Sequence, residues 1–172
     1  TEADNIAILG AARAQQRMGK KIVTTAIEHD AVLNTVKFLE GEGWEIVRLK
    51  PDREGKITAQ QVLDAVDNQT VLVSMMAVNN EVGTIEPVLL HCDAVQAWCK
   101  QPLRLGKALD VDFLSVSGHK IYAPKGCGAL YVKKGSRLRP VSFGGGQEKN
   151  IRPGTEGIAN LCAMGLSAQL LT

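Results

Sequence analysis

Val71-Leu72-Val73-Ser74-Met75-Met76-Ala77-Val78 is a nearly continuous apolar run interrupted by a single serine. A strand with one wet face alternates polar and apolar residues. An unbroken run instead suits a strand covered on both faces, as in a parallel sheet between helices. At eight residues the run is far too short to span a bilayer, which takes about 20. Upstream, Thr1 is placed to N-cap a helix, with Glu2 and Asp4 in its first turn, Ile6, Leu9 and Arg13 at turn spacing, and Gly19 as a stop. Residues 21–25 read as a strand, 30–41 as a helix and 44–49 as a strand. Pro51-Asp52-Arg53-Glu54-Gly55 is a turn, and Thr58 caps a short helix to about Val66. Downstream, residues 89–92, 113–116 and 128–132 are short strands. A glycine-rich loop over 144–157 leads to a closing helix at 158–171. Alternating strands and helices predict an α/β fold, a mostly parallel central sheet with flanking helices and ligand sites at strand ends.

One connection fits badly. If strands 71–78 and 89–92 are parallel neighbours, a crossover of about a dozen or more residues, usually a helix, should join them. Only residues 79–88 lie between, and they include Gly83 and Pro87. Either the strands are not neighbours, or a crossover helix is missing.

The length of 172 residues and formal net charge of +2 fit one soluble domain with an ordinary core. Lys20-Lys21 and Lys133-Lys134 are the densest basic pairs, and both read as solvated strand ends, so no nucleic-acid-binding stripe is present. No membrane anchor or signal pattern is expected, which makes the cytoplasm the default location. The four cysteines, Cys92, Cys99, Cys127 and Cys162, form no C-x-x-C pair, so no metal site is expected. They read as reduced, mostly buried thiols.

Ser117-Gly118-His119-Lys120 follows the strand at 113–116. A lysine there can reach into a crevice and form an imine with a carbonyl cofactor if its surroundings lower its pKa. Ser117 and His119 could donate to a phosphate, and Gly118 permits close backbone approach. Taken alone, the tetrapeptide fits an ordinary surface loop better. Asp93 ends the strand at 89–92, with Gln96 one turn on; it is either a helix cap or the partner of a cation such as a protonated ring nitrogen. His29 and Asn80 each follow a strand, and each alone reads as a turn or cap residue. Together, polar residues after successive strands converge on one crevice in a parallel sheet. The loop Gly144-Gly145-Gly146-Gln147-Glu148 is either a phosphate cradle or a mobile segment; it is not a P-loop.

Thr1-Glu2-Ala3-Asp4-Asn5, Glu28-His29, Val78-Asn79-Asn80-Glu81-Val82-Gly83, Asp93-Ala94-Val95-Gln96, Ser117-Gly118-His119-Lys120 and Gly144-Gly145-Gly146-Gln147-Glu148 occur in the order found in cysteine desulfurases. The whole chain resembles that group of the class V aminotransferases, which are fold-type I pyridoxal 5'-phosphate (PLP) enzymes. Ile121-Tyr122-Ala123-Pro124-Lys125-Gly126 after the lysine is most similar to the branch serving iron–sulfur cluster assembly and nitrogenase maturation. The resemblance implies that Lys120 holds PLP as a Schiff base and moves the Cα proton. It implies that His29 stacks on the ring, Asp93 pairs with its nitrogen, and Asn80 and Gln96 address its hydroxyl. Thr1, Ser117 and His119 would bind the phosphate, and Thr155 the phosphate of the partner in a homodimer. L-cysteine would become L-alanine, with sulfur left as a persulfide for an iron–sulfur scaffold or other acceptor protein.

By the same resemblance, residues 1–172 read as a partial PLP-binding large domain. An N-terminal segment, a C-terminal small domain with the nucleophilic cysteine and a substrate-clamping arginine, and a helix between Val88 and Leu89 are expected to be absent. None of the four cysteines aligns with that nucleophile. Selenocysteine lyase or another class V lyase or aminotransferase is the second expectation, and an inactive fragment of the PLP fold the third.

Overall fold

The computed structural model describes residues 1–77, 88–106 and 109–172. In chain order the elements are helix α1 (Glu2–Gln15), strand β1 (Lys21–Thr25), helix α2 (Asp30–Gly41), β2 (Glu45–Leu49), α3 (Ala59–Ala65), β3 (Thr70–Met76), β4 (Leu89–Asp93), β5 (Phe113–Ser117), β6 (Gly128–Val132) and α4 (Ile158–Leu171). The strands form one sheet ordered β2-β1-β3-β4-β5-β6. All neighbours are parallel except β5 and β6.

The apolar run is unbroken because β3 lies inside the sheet with cover on both faces. Ile22, Leu72, Leu89 and Phe113 meet Ala7, Ile8, Ala11 and Ala12 of α1 and Val32, Val36 and Leu39 of α2. On the other face Val23, Val73, Leu90 and Leu114 pack with Val62 of α3 and Met164 of α4. The register of β1 against β3 slips beside Val71, which lets Val71 and Leu72 both join the first core.

Local signals set the boundaries. His29 caps α2 by accepting the Ala31 N–H, and Thr58 and Gln61 form a reciprocal capping box on α3. Gly19 has a steric role beyond ending α1, which stops at Gln15: a Cβ there would collide with the Gln69 carbonyl. Lys21 departs from its expected solvated position. It is buried, and its ammonium lies 2.7 Å from Asp67 and 3.5 Å from Glu45. The cysteines are free, but only Cys92 is buried and Cys162 is exposed, so the expected burial holds for one of them.

β3 and β4 pair directly in parallel, from Leu72 opposite Leu89 to Met76 opposite Asp93. The alternative that they are not neighbours is therefore excluded. Residues 78–87, and with them Asn80, lie outside the described residues. No helix among the described residues is long and apolar enough to cross a membrane. Helix α4 is apolar around its circumference yet buries only Met164; Ile158, Leu161, Leu166, Leu170 and Leu171 are exposed.

Candidate active site

The chain leaves β1 towards β2 on one side and returns through α3 to β3 on the other. This makes the β1/β3 boundary a topological switch point, where the carboxyl ends of parallel strands open a crevice. Glu28 and His29 follow β1, Asp93 ends β4, and Ser117-Gly118-His119-Lys120 follows β5. Asp93 stands between Met76 of β3 and Ser115 of β5 in register.

The turn after β5 is a 3-10 helix, Gly118–Ile121. The Gly118 N–H donates to the Cys127 carbonyl at 3.0 Å, and a Cβ on Gly118 would lie 2.6 Å from the Cys127 sulfur. The close approach expected of Gly118 is thus made by Cys127. Tyr122 closes the turn in the left-handed region at φ 65°. Ser117 Oγ and His119 Nδ1 are hydrogen-bonded at 2.7 Å, so these two predicted donors form a pair. Lys120 is half-buried, and its ammonium has no hydrogen-bond or ion-pair partner among the described residues.

Asp93 is both a cap and a buried acid. Its Oδ1 accepts the Val95 N–H at 3.0 Å, opening the turn that carries Gln96. Burial pushes its carboxyl above the usual range, as does nearby Asp4; the Val95 N–H, the chain's first amino group and His29 pull it back. His29 Nδ1 accepts the Ala31 N–H at 3.0 Å, which puts the proton of the neutral ring on Nε2. Thr1 places its amino group 3.1 Å from Asp4 Oδ2.

Other predicted residues are not drawn in. Gln96 is exposed and accepts from Lys100 at 3.1 Å. Thr155 is exposed in the loop before α4, with no hydrogen bond to Thr1, Ser117 or His119. Gly144, Gly145 and Gly146 have ordinary negative φ; the left-handed positions follow them, at Glu148, Lys149 and Asn150. Gln147 Oε1 accepts the Gly154 N–H at 3.0 Å, and Arg152 binds Glu2 at 2.7 Å, which ties this loop to the start of α1.

The structure adds a buried polar layer beneath the crevice. His91 of β4 sits between Ser74 Oγ of β3 at 2.8 Å and Ser115 Oγ of β5 at 2.9 Å. Burial lowers its pKa to about 4, so the ring is neutral. Asp4 Oδ1, buried and without a hydrogen bond among the described residues, lies 3.7 Å from His91 Nε2. Glu28 is also buried: Oε1 accepts the Thr25 hydroxyl at 2.7 Å and the Met76 N–H at 3.0 Å, while Oε2 has no partner among the described residues. The visible signal for this layer is a polar residue in the interior of each of three apolar strands, Ser74, His91 and Ser115. No Lys or Arg side chain among the described residues pairs with Asp4, Glu28 or Asp93; Asp4 meets the Thr1 amino group and neutral His91, and His29 acts on Asp93.

Comparison with known proteins agrees with this architecture. The family described as "Aminotransferase class-V" matches residues 1–172. The chain is 42% identical to "Cysteine desulfurase IscS" of Methanosarcina thermophila, over all of this chain and 45% of that protein. It is 44% identical to "Putative cysteine desulfurase IscS 1" of Bacillus subtilis (strain 168), over 95% of this chain and 46% of that protein. A solved structure titled "NIFS-LIKE PROTEIN" superposes with a TM-score of 0.90 at 36% identity, covering 99% of this chain and 50% of the other. "SspA in complex with cysteine" superposes at 0.88 with 38% identity, covering 98% and 52%. The chain therefore spans about half the length of the curated relatives it matches. The alignment with the Methanosarcina protein runs over 184 positions, more than the 172 residues of this chain, so that relative carries additional residues within the matched stretch.

Proposed function

Since the chain belongs to the class-V aminotransferase family, we propose that it carries the PLP-binding domain of a cysteine desulfurase, with Lys120 as the covalent anchor of the cofactor. One observation carries this reading: buried Asp93, with no basic side chain paired to it, stands at a strand end adjacent to the one that leads into unpartnered Lys120. The relatives named cysteine desulfurase support the reaction, and the solved relative titled as a complex with cysteine supports the substrate.

The residues fit this cofactor. A protonated ring nitrogen is the kind of cation that the buried Asp93 carboxyl calls for. The Ser117–His119 pair offers donors to a phosphate, and Lys120 Nζ is not engaged elsewhere. Bound PLP would supply an electron sink for the Cα–H and Cβ–S bonds of cysteine. Asp93 would hold the ring nitrogen protonated. His29, its Nδ1 pinned by the Ala31 N–H, would present a fixed ring face over the crevice. Lys120 Nζ would take the Cα proton and return it on the way to alanine.

None of the cysteines here is proposed as the sulfur acceptor. Burial pushes the Cys92 thiol up to about 12, and the Cys127 thiol donates to the Pro124 carbonyl at 3.0 Å. The persulfide cysteine is assigned to the part of the relatives that this chain does not span, together with delivery to an iron–sulfur scaffold or other acceptor protein. A homodimer is proposed to cover α4 and to bring Thr155 to the partner's phosphate site. Absorbance and product assays on the full chain test the reading. The full-length protein, persulfide cysteine included, should be yellow with PLP and, with a thiol reductant present to release the persulfide sulfur, should form alanine and sulfide from L-cysteine. A colourless protein that takes up no PLP overturns it.

A further inference from the structure

The Thr1 amino group lies against Asp4, which leaves Asp93 and Glu28 as two buried carboxyls that resist ionising side by side without a further cation. Asp4 approaches neutral His91, and Asp93 keeps one backbone donor. Glu28 has the most telling geometry: one oxygen takes two donors, from β1 and β3, while the other is sealed in without a partner among the described residues. Either form leaves Oε2 without a partner among the described residues, but the carboxylate buries a full charge there whereas the carboxylic acid buries only a neutral hydroxyl.

We infer that Glu28 is a positioning residue that also stores a proton for the crevice, tying the end of β1 to the end of β3 and releasing its proton when a cationic ring settles against Asp93. The ring nitrogen brings one positive charge to the carboxyls and the Glu28 proton takes one away to solvent, so the charge of the floor beside that nitrogen is unchanged. The strap also fixes the start of the segment that carries His29. The inference rests on the PLP reading above.

The groups around Glu28 agree with this role. Asp93 of β4 and Asp4 of α1 both raise its pKa, Cys92 of β4 is close enough to feel its charge, and His29 follows it in the chain. Burial is the largest cause, and together they bring the carboxyl to about 7 against the Thr25 and Met76 hydrogen bonds.

The full chain, freed of cofactor, can be titrated with PLP by calorimetry in two buffers of different ionisation enthalpy, which counts protons released. At pH 6 the wild type should release close to one proton more than Glu28→Gln. At pH 8.5, where Glu28 is already ionised, the two should agree. Glu28→Gln keeps an acceptor for Thr25 and Met76, so a purely structural strap leaves the counts equal. Equal counts at pH 6 overturn the inference while leaving the PLP reading intact. Failure of the wild type to take up PLP overturns both. Should the variant not fold, the carbon-13 shift of the Glu28 carboxyl in the wild type answers directly: its midpoint must fall by about two pH units or more on PLP binding, and a smaller fall or an unmoved midpoint overturns the inference.

Discussion

Glu28 and His91 lie on the same crevice floor, and burial moves their titrations in opposite directions. Glu28 rises from 4.5 to about 7. Its contribution to stability is complete below pH 4.5 and is lost as pH climbs through about 7. His91 falls from 6.5 to about 4, so its contribution is complete above pH 6.5 and is lost as pH falls through about 4. Between pH 4.5 and 6.5 the two effects oppose each other in the cofactor-free protein. Glu28→Gln should expose the histidine slope, so that stability rises relative to wild type as pH increases, by on the order of 2–3 kcal/mol across the window. His91→Asn should tilt it the other way. Denaturant unfolding at several pH values checks both, and parallel profiles for all three proteins would falsify the assignment. Asp93→Asn leaves the proposed cation without its carboxylate and should weaken PLP binding on the order of 10²-fold, given the cost of breaking a buried pair. Cofactor titration by absorbance reads this. The placement of Lys120, His29 and Asp93 at strand ends is legible in the sequence, because the strands themselves are. Glu28 was quoted there beside His29 but given no role, because its meaning depends on a bond to Met76, 48 residues away.

Elements were read from local signals, and those signals succeeded where the physics is local. The starts of β1 and α2, and the Thr58 cap, follow from β-branched residues and capping side chains in the sequence. Glycines were read less well, because their constraints come from distant segments. Gly19 makes room for Gln69, and Gly118 for Cys127, neither of which is adjacent in sequence. Gly118→Ala should force the turn bearing Lys120 away from Cys127, with about 1–3 kcal/mol of destabilisation as for other overpacked sites. Thermal unfolding together with PLP retention measures this, and an unchanged protein would show that the turn is not held by that contact. The short link between β3 and β4 was recognised as anomalous from strand geometry alone. Direct pairing of the strands sharpens the anomaly, since the parallel arrangement is what requires a long crossover.

At the scale of the molecule, the sheet and its two cores were legible, while the surfaces that meet other parts or copies were not. Periodicity gives α4 as a helix, but an all-round apolar helix with only Met164 buried takes its meaning from what covers it. Leu166 and Leu170 share the exposed side, one turn apart. Replacing both with Glu in the full chain should convert the proposed dimer to monomer in sedimentation velocity; a dimer that survives places the interface elsewhere. Central to the whole reading is the bond between Lys120 and the cofactor, and the most direct measurement is borohydride reduction of the PLP-loaded full chain followed by peptide mass mapping. A single reduced pyridoxyl adduct on Lys120, lost in Lys120→Ala, is the predicted result. An adduct on another lysine, or none on a PLP-loaded protein, contradicts it.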